Sequence, residues 1–300
     1  MRNPNLETGA AFAIATVILG ANFVAVRYSN DELAPFWGAA LRFSTASLLL
    51  FALVFARGIP LPRGRALVGS VLFGILAFGA TYALAYWSLL GAAPATVAVL
   101  FATMPLSTLF LALLHRLESF RPLGLLGGLL TLAGIGLIFR DQAQLAVPLA
   151  FLAAGLLGAI CAAEAGVVVK LFPRAHPFAN NAVAMAVGSM LLFALSLVAH
   201  EDRTVPTRAA TWIAFAWLVL LGSMLAFVLL VFVLGRWRVS DVSYQGVLSP
   251  LVTAALGLWL RGDHLSWAFV AGGGLVLFGV WVGALWVPKQ RPTPPAARPA

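Results

Sequence analysis

Phe78, Tyr82 and Tyr86 recur every fourth residue in this 300-residue chain, the spacing that sets side chains on one face of a helix. Three rings in a row, two of them phenols, have two physical uses. One is a packing face, with Tyr86 and the adjacent Trp87 in a belt at a membrane interface. The other is the wall of a pocket, where rings stack on a ligand and the hydroxyls exchange hydrogen bonds with it. Glu164 is the one acidic residue of ten that lies well inside an apolar run. A carboxylate there is costly unless paired, protonated or facing water, so it is half of a structural pair with a neighbouring basic side chain, or a site for a substrate amine or a proton. Arg42, about two turns into its run, either snorkels to the membrane surface or faces a cavity and holds a carboxylate in its fork. Tyr244, Gln245 and Ser249 place polar groups on another run. Lipid offers Gln245 no partner, so it belongs in protein or at a cavity.

The elements that must position these residues are membrane helices. The chain is 62% hydrophobic and 10% charged, against about half and about a quarter in soluble domains. Breaker residues divide it into ten apolar runs, at 8–27, 35–56, 66–90, 94–114, 122–139, 147–171, 177–199, 211–234, 241–260 and 266–287, each near the length that crosses a ~30 Å hydrocarbon slab. The first run has no small-x-small site at its end and reads as an uncleaved span. Pro35, Pro94, Pro122 and Pro177 open runs, where a missing amide proton costs nothing, and Ser240 and Ser266 suit N-caps. The net charge of +9 sits in short connections, which indicates topology and lipid contact and no nucleic-acid partner. Cys161 is the only cysteine, so neither a disulfide nor a thiolate metal cluster is expected. No P-loop is present and no cofactor is expected.

A repeat organises the runs. Moving 145 positions carries Pro105 onto Pro250, Glu118 onto Asp263, and Gly127 and Gly128 onto Gly272 and Gly273. The expected units are residues 1–142, an inverted second copy at 143–288, and a disordered Pro-rich tail at 289–300. Five runs per copy is an odd number, so the second copy crosses the membrane upside down, as in many secondary transporters. With both termini in the cytoplasm, thirteen of the nineteen Lys and Arg residues fall on that side and five on the other, as the positive-inside rule requires. The fold expected is therefore an all-α integral membrane protein of ten transmembrane helices in two inverted five-helix repeats. The same shift maps Phe78 and Tyr82 onto Ser223 and Phe227, giving a narrower but still aromatic facing wall. Phe101 in the fourth run joins these candidate substrate-binding residues. Pro105 and Pro250 each fall near mid-run, where each removes a backbone bond and bends its helix, either as a static kink or as one of two matched hinges. Glu118 and Asp263 are explained as negative charges at helix N-termini. Gly124, Gly128, Gly134, Gly279 and Gly283 permit close helix approach, within a monomer or at a dimer seam.

The placing of Gly20, Asn22, Phe23, Arg27, Pro35, Arg42 and Phe43, with Pro105, Glu118 and the Gly-rich fifth run and their second copies, resembles the drug/metabolite transporter superfamily in its ten-helix EamA-type branch. The resemblance spans all but the tail. It implies an inner-membrane carrier of small metabolites, often an amino acid exporter, with a cavity between the halves and the fifth and tenth helices at the periphery. Ala165 and Gly166 stand near the place where a copy of Asn22 and Phe23 would fall, so a substrate role for Asn22 is tied to one half. Export of aromatic or other neutral amino acids by alternating access is the sharpest expectation. Another metabolite or drug is the alternative. A lipid-modifying enzyme is a minor one, because all four histidines lie at or near run ends.

Overall fold

Each apolar run becomes a helix in the computed structural model, which describes residues 4–116, 122–144, 147–237, 242, 245–261 and 266–282. Among the described residues the helices group into α1 (Pro4–Ser29), α2 (Pro35–Ala56), α3 (Arg65–Gly91), α4 (Pro94–Leu114) and α5 (Pro122–Gln144), then α6 (Leu149–Leu171), α7 (Pro177–Val198), α8 (Ala209–Leu234), α9 (Gln245–Arg261) and α10 (Trp267–Val280). Seven of these are long and apolar enough to cross a membrane, and α5, α9 and α10 contribute shorter apolar stretches within the described residues. Prolines open α2, α4 and α7. The Ser266 hydroxyl accepts from Phe269 N at 2.9 Å and caps α10, while Ser240, Glu118 and Asp263 lie outside the described residues. Large apolar side chains such as Phe110, Val198 and Trp259 stay exposed on the outside of the bundle, as a lipid-facing surface requires.

The chain is an all-α integral membrane protein of two inverted five-helix repeats, and the packing follows that symmetry. Helix α2 packs on its copy α7, and α5 on its copy α10; α1 packs against α8 and α9, as α6 does against α3 and α4. The α5–α10 seam depends on glycine. A Cβ on Gly134 would stand 2.6 Å from the Gly272 carbonyl oxygen, so a side chain there would force the backbones apart.

Two irregularities recur in both halves. Helix α3 widens to π geometry over Gly74–Ala80 and α8 does so over Leu220–Leu225, which the 145-residue shift superimposes to within a residue. Such bulges leave backbone carbonyls without their usual partners and favour functional sites. The prolines behave less symmetrically. Helix α4 breaks into Pro94–Phe101 and Met104–Leu114, with Ala102 and Thr103 as the joint, whereas Pro250 sits inside the unbroken α9. Each proline still denies a proton to the carbonyl four residues back. Those carbonyls belong to Phe101 and Gly246, equivalent residues that lie against each other: a Cβ on Gly246 would be 3.0 Å from Phe101 O.

One end of the bundle, carrying the 30–34 and 199–208 connections, is tied shut across the halves. Glu201 accepts from Phe36 N at 3.0 Å and Trp37 N at 2.8 Å at the start of α2. Glu32 accepts from Arg208 N at 3.0 Å and from the Thr207 hydroxyl at the start of α8. Each carboxylate thus caps a helix of the other half, where orphan N–H groups and the helix dipole favour negative charge.

Candidate functional site

Between the halves lies a cavity of about 130 Å³, walled by α1, α3 and α4 of the first repeat and α6, α8 and α9 of the second. It is smaller than the ~300–1,000 Å³ of drug-sized pockets. The reason the space exists is legible residue by residue. Where α1 presents Asn22 and Phe23, α6 presents Ala162, Ala163, Ala165 and Gly166, and these small residues leave the gap.

Aromatic rings cover the opposite walls. Phe23 meets Phe101 edge-on with centroids 5.4 Å apart. Tyr82 lies 6.2 Å from Tyr86 and 6.1 Å from Phe227, so the predicted stripe and its facing ring do converge. Phe78 does not reach the cavity. It is fully buried among Phe43, Phe73 and Phe227, so the stripe divides into a packing residue and two wall residues. The polar groups on the wall are neutral: Asn22, Thr81, the two phenols, Thr108 and Gln245.

Behind this wall stands Arg42, 0% exposed. It does not snorkel. Its Nε donates to Ser223 Oγ at 2.7 Å, one terminal nitrogen donates to Gly222 O at 3.0 Å, and the other reaches the Tyr86 hydroxyl at 3.4 Å. The guanidinium carbon also lies 4.8 Å from the centre of the Phe43 ring and 5.0 Å from that of Tyr82, within cation–π range. Among the described residues no carboxylate stands at ion-pair distance from it. The carbonyl it grips lies in the π segment of α8, and Asn22 Nδ2 donates to the same oxygen at 3.2 Å. Gly222 is needed here, since a Cβ would occupy the space of the Asn22 amide. Arg42, Ser223 and Asn22 therefore form one network that joins α2 and α1 to α8. Asn22 Oδ1 has no partner in the protein and is buried.

The remaining candidates scatter. Gln245 lines the cavity and donates to Ser249 Oγ at 3.1 Å, and Ser249 is buried. Tyr244 lies outside the described residues. Glu164 is off the cavity wall, bonded at 2.8 Å to His115 Nε2, which fits the structural-pair reading with histidine as the basic partner. Thr81, Met104 and Thr108 also line the site and were not singled out from sequence, and Phe23 lines it too, having been marked only by the family resemblance. A signal existed for Thr108, which the repeat carries onto Thr253. At the capped end the last turn of α1 is tied to α3, with Arg27 donating to the Leu89 and Leu90 carbonyls and Asn30 Nδ2 donating to Tyr86 O at 3.2 Å.

Comparison with known proteins gives a consistent picture. The EamA-like transporter family matches residues 8–140 and, a second time, 149–284. An uncharacterised inner membrane transporter of Escherichia coli K12, YedA, is 26% identical over 273 residues, covering 91% of this chain and 88% of that one. An uncharacterised transporter of Archaeoglobus fulgidus is 24% identical over 287 residues, with 93% and 97% covered. A solved crystal structure superposes with a TM-score of 0.70 at 19% identity, covering 94% of this chain and 99% of its own, a likeness of fold.

Proposed function

Because the chain belongs to the EamA-like transporter family, and so is a multi-pass membrane transporter of that type, we propose that it is a secondary carrier exporting amino acids, aromatic or otherwise neutral, from the cytoplasm across the inner membrane. The observation that supports this substrate is the make-up of the cavity wall. Asn22 Oδ1 is a buried acceptor with no protein partner, suited to a substrate N–H. The Tyr86 hydroxyl accepts a long hydrogen bond from Arg42 at 3.4 Å, which leaves its own O–H to donate to a carboxylate. Between them Tyr82, Phe101 and Phe227 offer ring faces to an apolar side chain. Arg42 acts through Tyr86 in this arrangement, and Gln245 closes the α9 side.

The excess of Lys and Arg in the connections on the side of the termini supports a cytoplasmic position for both, and on that reading the Glu32 and Glu201 end is the outer one. The inverted halves support alternating access, with the α4 joint just before Pro105 and the turn at Pro250 within the unbroken α9 as the paired hinges. A carrier of this kind speeds an equilibrium, so the direction of flow follows the gradient.

The test is counterflow in proteoliposomes with a broad amino acid panel. Exchange of aromatic or neutral amino acids is expected, with apparent affinity weakened about tenfold or more in Tyr82→Ala through loss of a ring contact of roughly 1.5 kcal/mol. Failure of every amino acid to exchange, in protein that remains folded, would overturn the substrate and leave the carrier of another small metabolite as the reading.

A further inference from the structure

The central cavity carries no formal charge on its wall, yet a second cavity of about 420 Å³ is strongly basic. It lies at the opposite end from the Glu32 and Glu201 caps, between α3 of the first half and α6, α7 and α8 of the second. Lys170, Arg174 and Arg236 all line it, and no acidic residue does among the described lining. Three cations around one hollow repel each other unless an anion joins them.

The neutral groups point the same way. Asn180 is 9% exposed, its Oδ1 accepts from Ser70 Oγ at 2.8 Å, and its Nδ2 finds no acceptor. A buried amide donor left open on the wall of a basic hollow asks for an oxygen. Pro177, the first residue of the 22-residue helix α7, lines the same hollow, so the positive end of the helix dipole adds to the field. Lys170 is already committed in part, donating to Leu234 O at 2.7 Å and Trp237 O at 2.9 Å. It contributes charge more than geometry. Arg174 and Arg236 are exposed at the rim; Arg236 lies over the Phe232 ring and donates one terminal nitrogen to Phe232 O at 3.3 Å, which leaves its other donors and the Arg174 fork for paired oxygens.

We propose that this hollow is a phosphate-binding site. Two guanidinium forks, an ammonium, an amide donor and a helix N-terminus provide more charge and more donors than one carboxylate uses, and they match the several oxygens of a phosphate group. Its place at the end of the bundle, away from the Glu32 and Glu201 caps, suits a lipid headgroup. The phosphate has two possible sources, the phosphodiester of an anionic lipid such as phosphatidylglycerol or a free phosphate in solution.

The test uses the full chain in neutral detergent, with thermal unfolding followed by tryptophan fluorescence. Inorganic phosphate is titrated at constant ionic strength against sodium chloride, and phosphatidylglycerol is titrated against phosphatidylcholine. A saturable rise of about 5 °C is expected for a ligand well above its Kd. Stabilisation by phosphatidylglycerol alone assigns the lipid source, and stabilisation by inorganic phosphate assigns the free anion. The pair Arg174→Gln and Arg236→Gln should raise the half-saturating concentration at least tenfold, while Arg57→Gln with Arg63→Gln, exposed cations in the 57–64 connection, should leave it within twofold. No saturable effect with either ligand overturns the site. So does an equal loss in the Arg57 and Arg63 control, which would mean a diffuse surface charge.

Discussion

Replacing Arg42 separates what its charge does from what its shape does. The side chain is fully buried, and its hydrogen bonds run to Ser223 Oγ, Gly222 O and the Tyr86 hydroxyl at 2.7, 3.0 and 3.4 Å. The two short bonds come from a charged donor and are each worth about 1.5–3 kcal/mol, while the third is long and weak. Against them stands the desolvation of a cation without a described carboxylate partner, an effective penalty of several kcal/mol. Arg42→Met removes both sides of this balance and fills similar volume, and Gly222 O keeps its bond from Asn22. The net change should be small, about 0–2 kcal/mol of destabilisation. Arg42→Lys keeps the charge, but an ammonium has no planar fork to span Ser223 and Gly222 and is more strongly hydrated to begin with. It should lose about 2–4 kcal/mol, one short bond plus part of the ring contact. The assay is the heat or dodecyl sulfate midpoint for loss of monodisperse protein in detergent, compared across the three proteins. Lysine falling below methionine is the expected order. A lysine variant as stable as wild type, with the methionine variant collapsed, would refute the reasoning, because charge alone would then hold the network.

Glu32 gives a pH-dependent expectation. Hydrogen bonds from the Thr207 hydroxyl first, then from the Thr211 hydroxyl and the Arg208 and Thr207 amides, hold its carboxyl down from the ordinary 4.5 to about 2. A depressed pKa stabilises the fold above the unfolded value and loses that effect as pH falls toward the folded one, so the advantage of wild type over Glu32→Gln should be constant from pH 7 to 5 and vanish between about 4.5 and 2; a difference that instead fades near pH 6 would contradict it. Gly222→Ala should push the Asn22 amide aside and destabilise by about 1–3 kcal/mol, with exchange reduced in protein that still elutes as a single peak; unimpaired exchange would separate Asn22 from the site. Glu164→Gln removes the ionic part of a partly exposed pair and should cost no more than about 1 kcal/mol, leaving flux and its pH dependence unchanged; a loss of flux would return Glu164 to the transport path.

The fold was readable because membrane helices announce themselves by length and apolarity, and because the duplication keeps its punctuation: Pro105 with Pro250, Gly134 with Gly279. The site was readable in part. Tyr82 and Tyr86 were reached from periodicity, Phe227 from the repeat and Gln245 from the cost of an amide facing lipid, and all four line the cavity, as does Phe101. Phe78 fits the same four-residue spacing and stacks on Tyr82 with centroids 6.4 Å apart, but the rings of Phe43, Phe73 and Phe227 close around it and keep it off the cavity wall. An irregularity of α8 hid the role of Arg42. From sequence its choices were solvent or substrate, since an unbroken α8 would have had no free carbonyl to offer. The Leu220–Leu225 bulge creates a third choice at Gly222, and the guanidinium takes it together with Asn22. Asn22 thus binds one half to the other through its amide nitrogen while its oxygen remains unpaired beside the cavity. A ligand that pulled on that oxygen would pull on the α1–α8 contact as well, which is the physical link a carrier needs between occupancy and the movement of its halves.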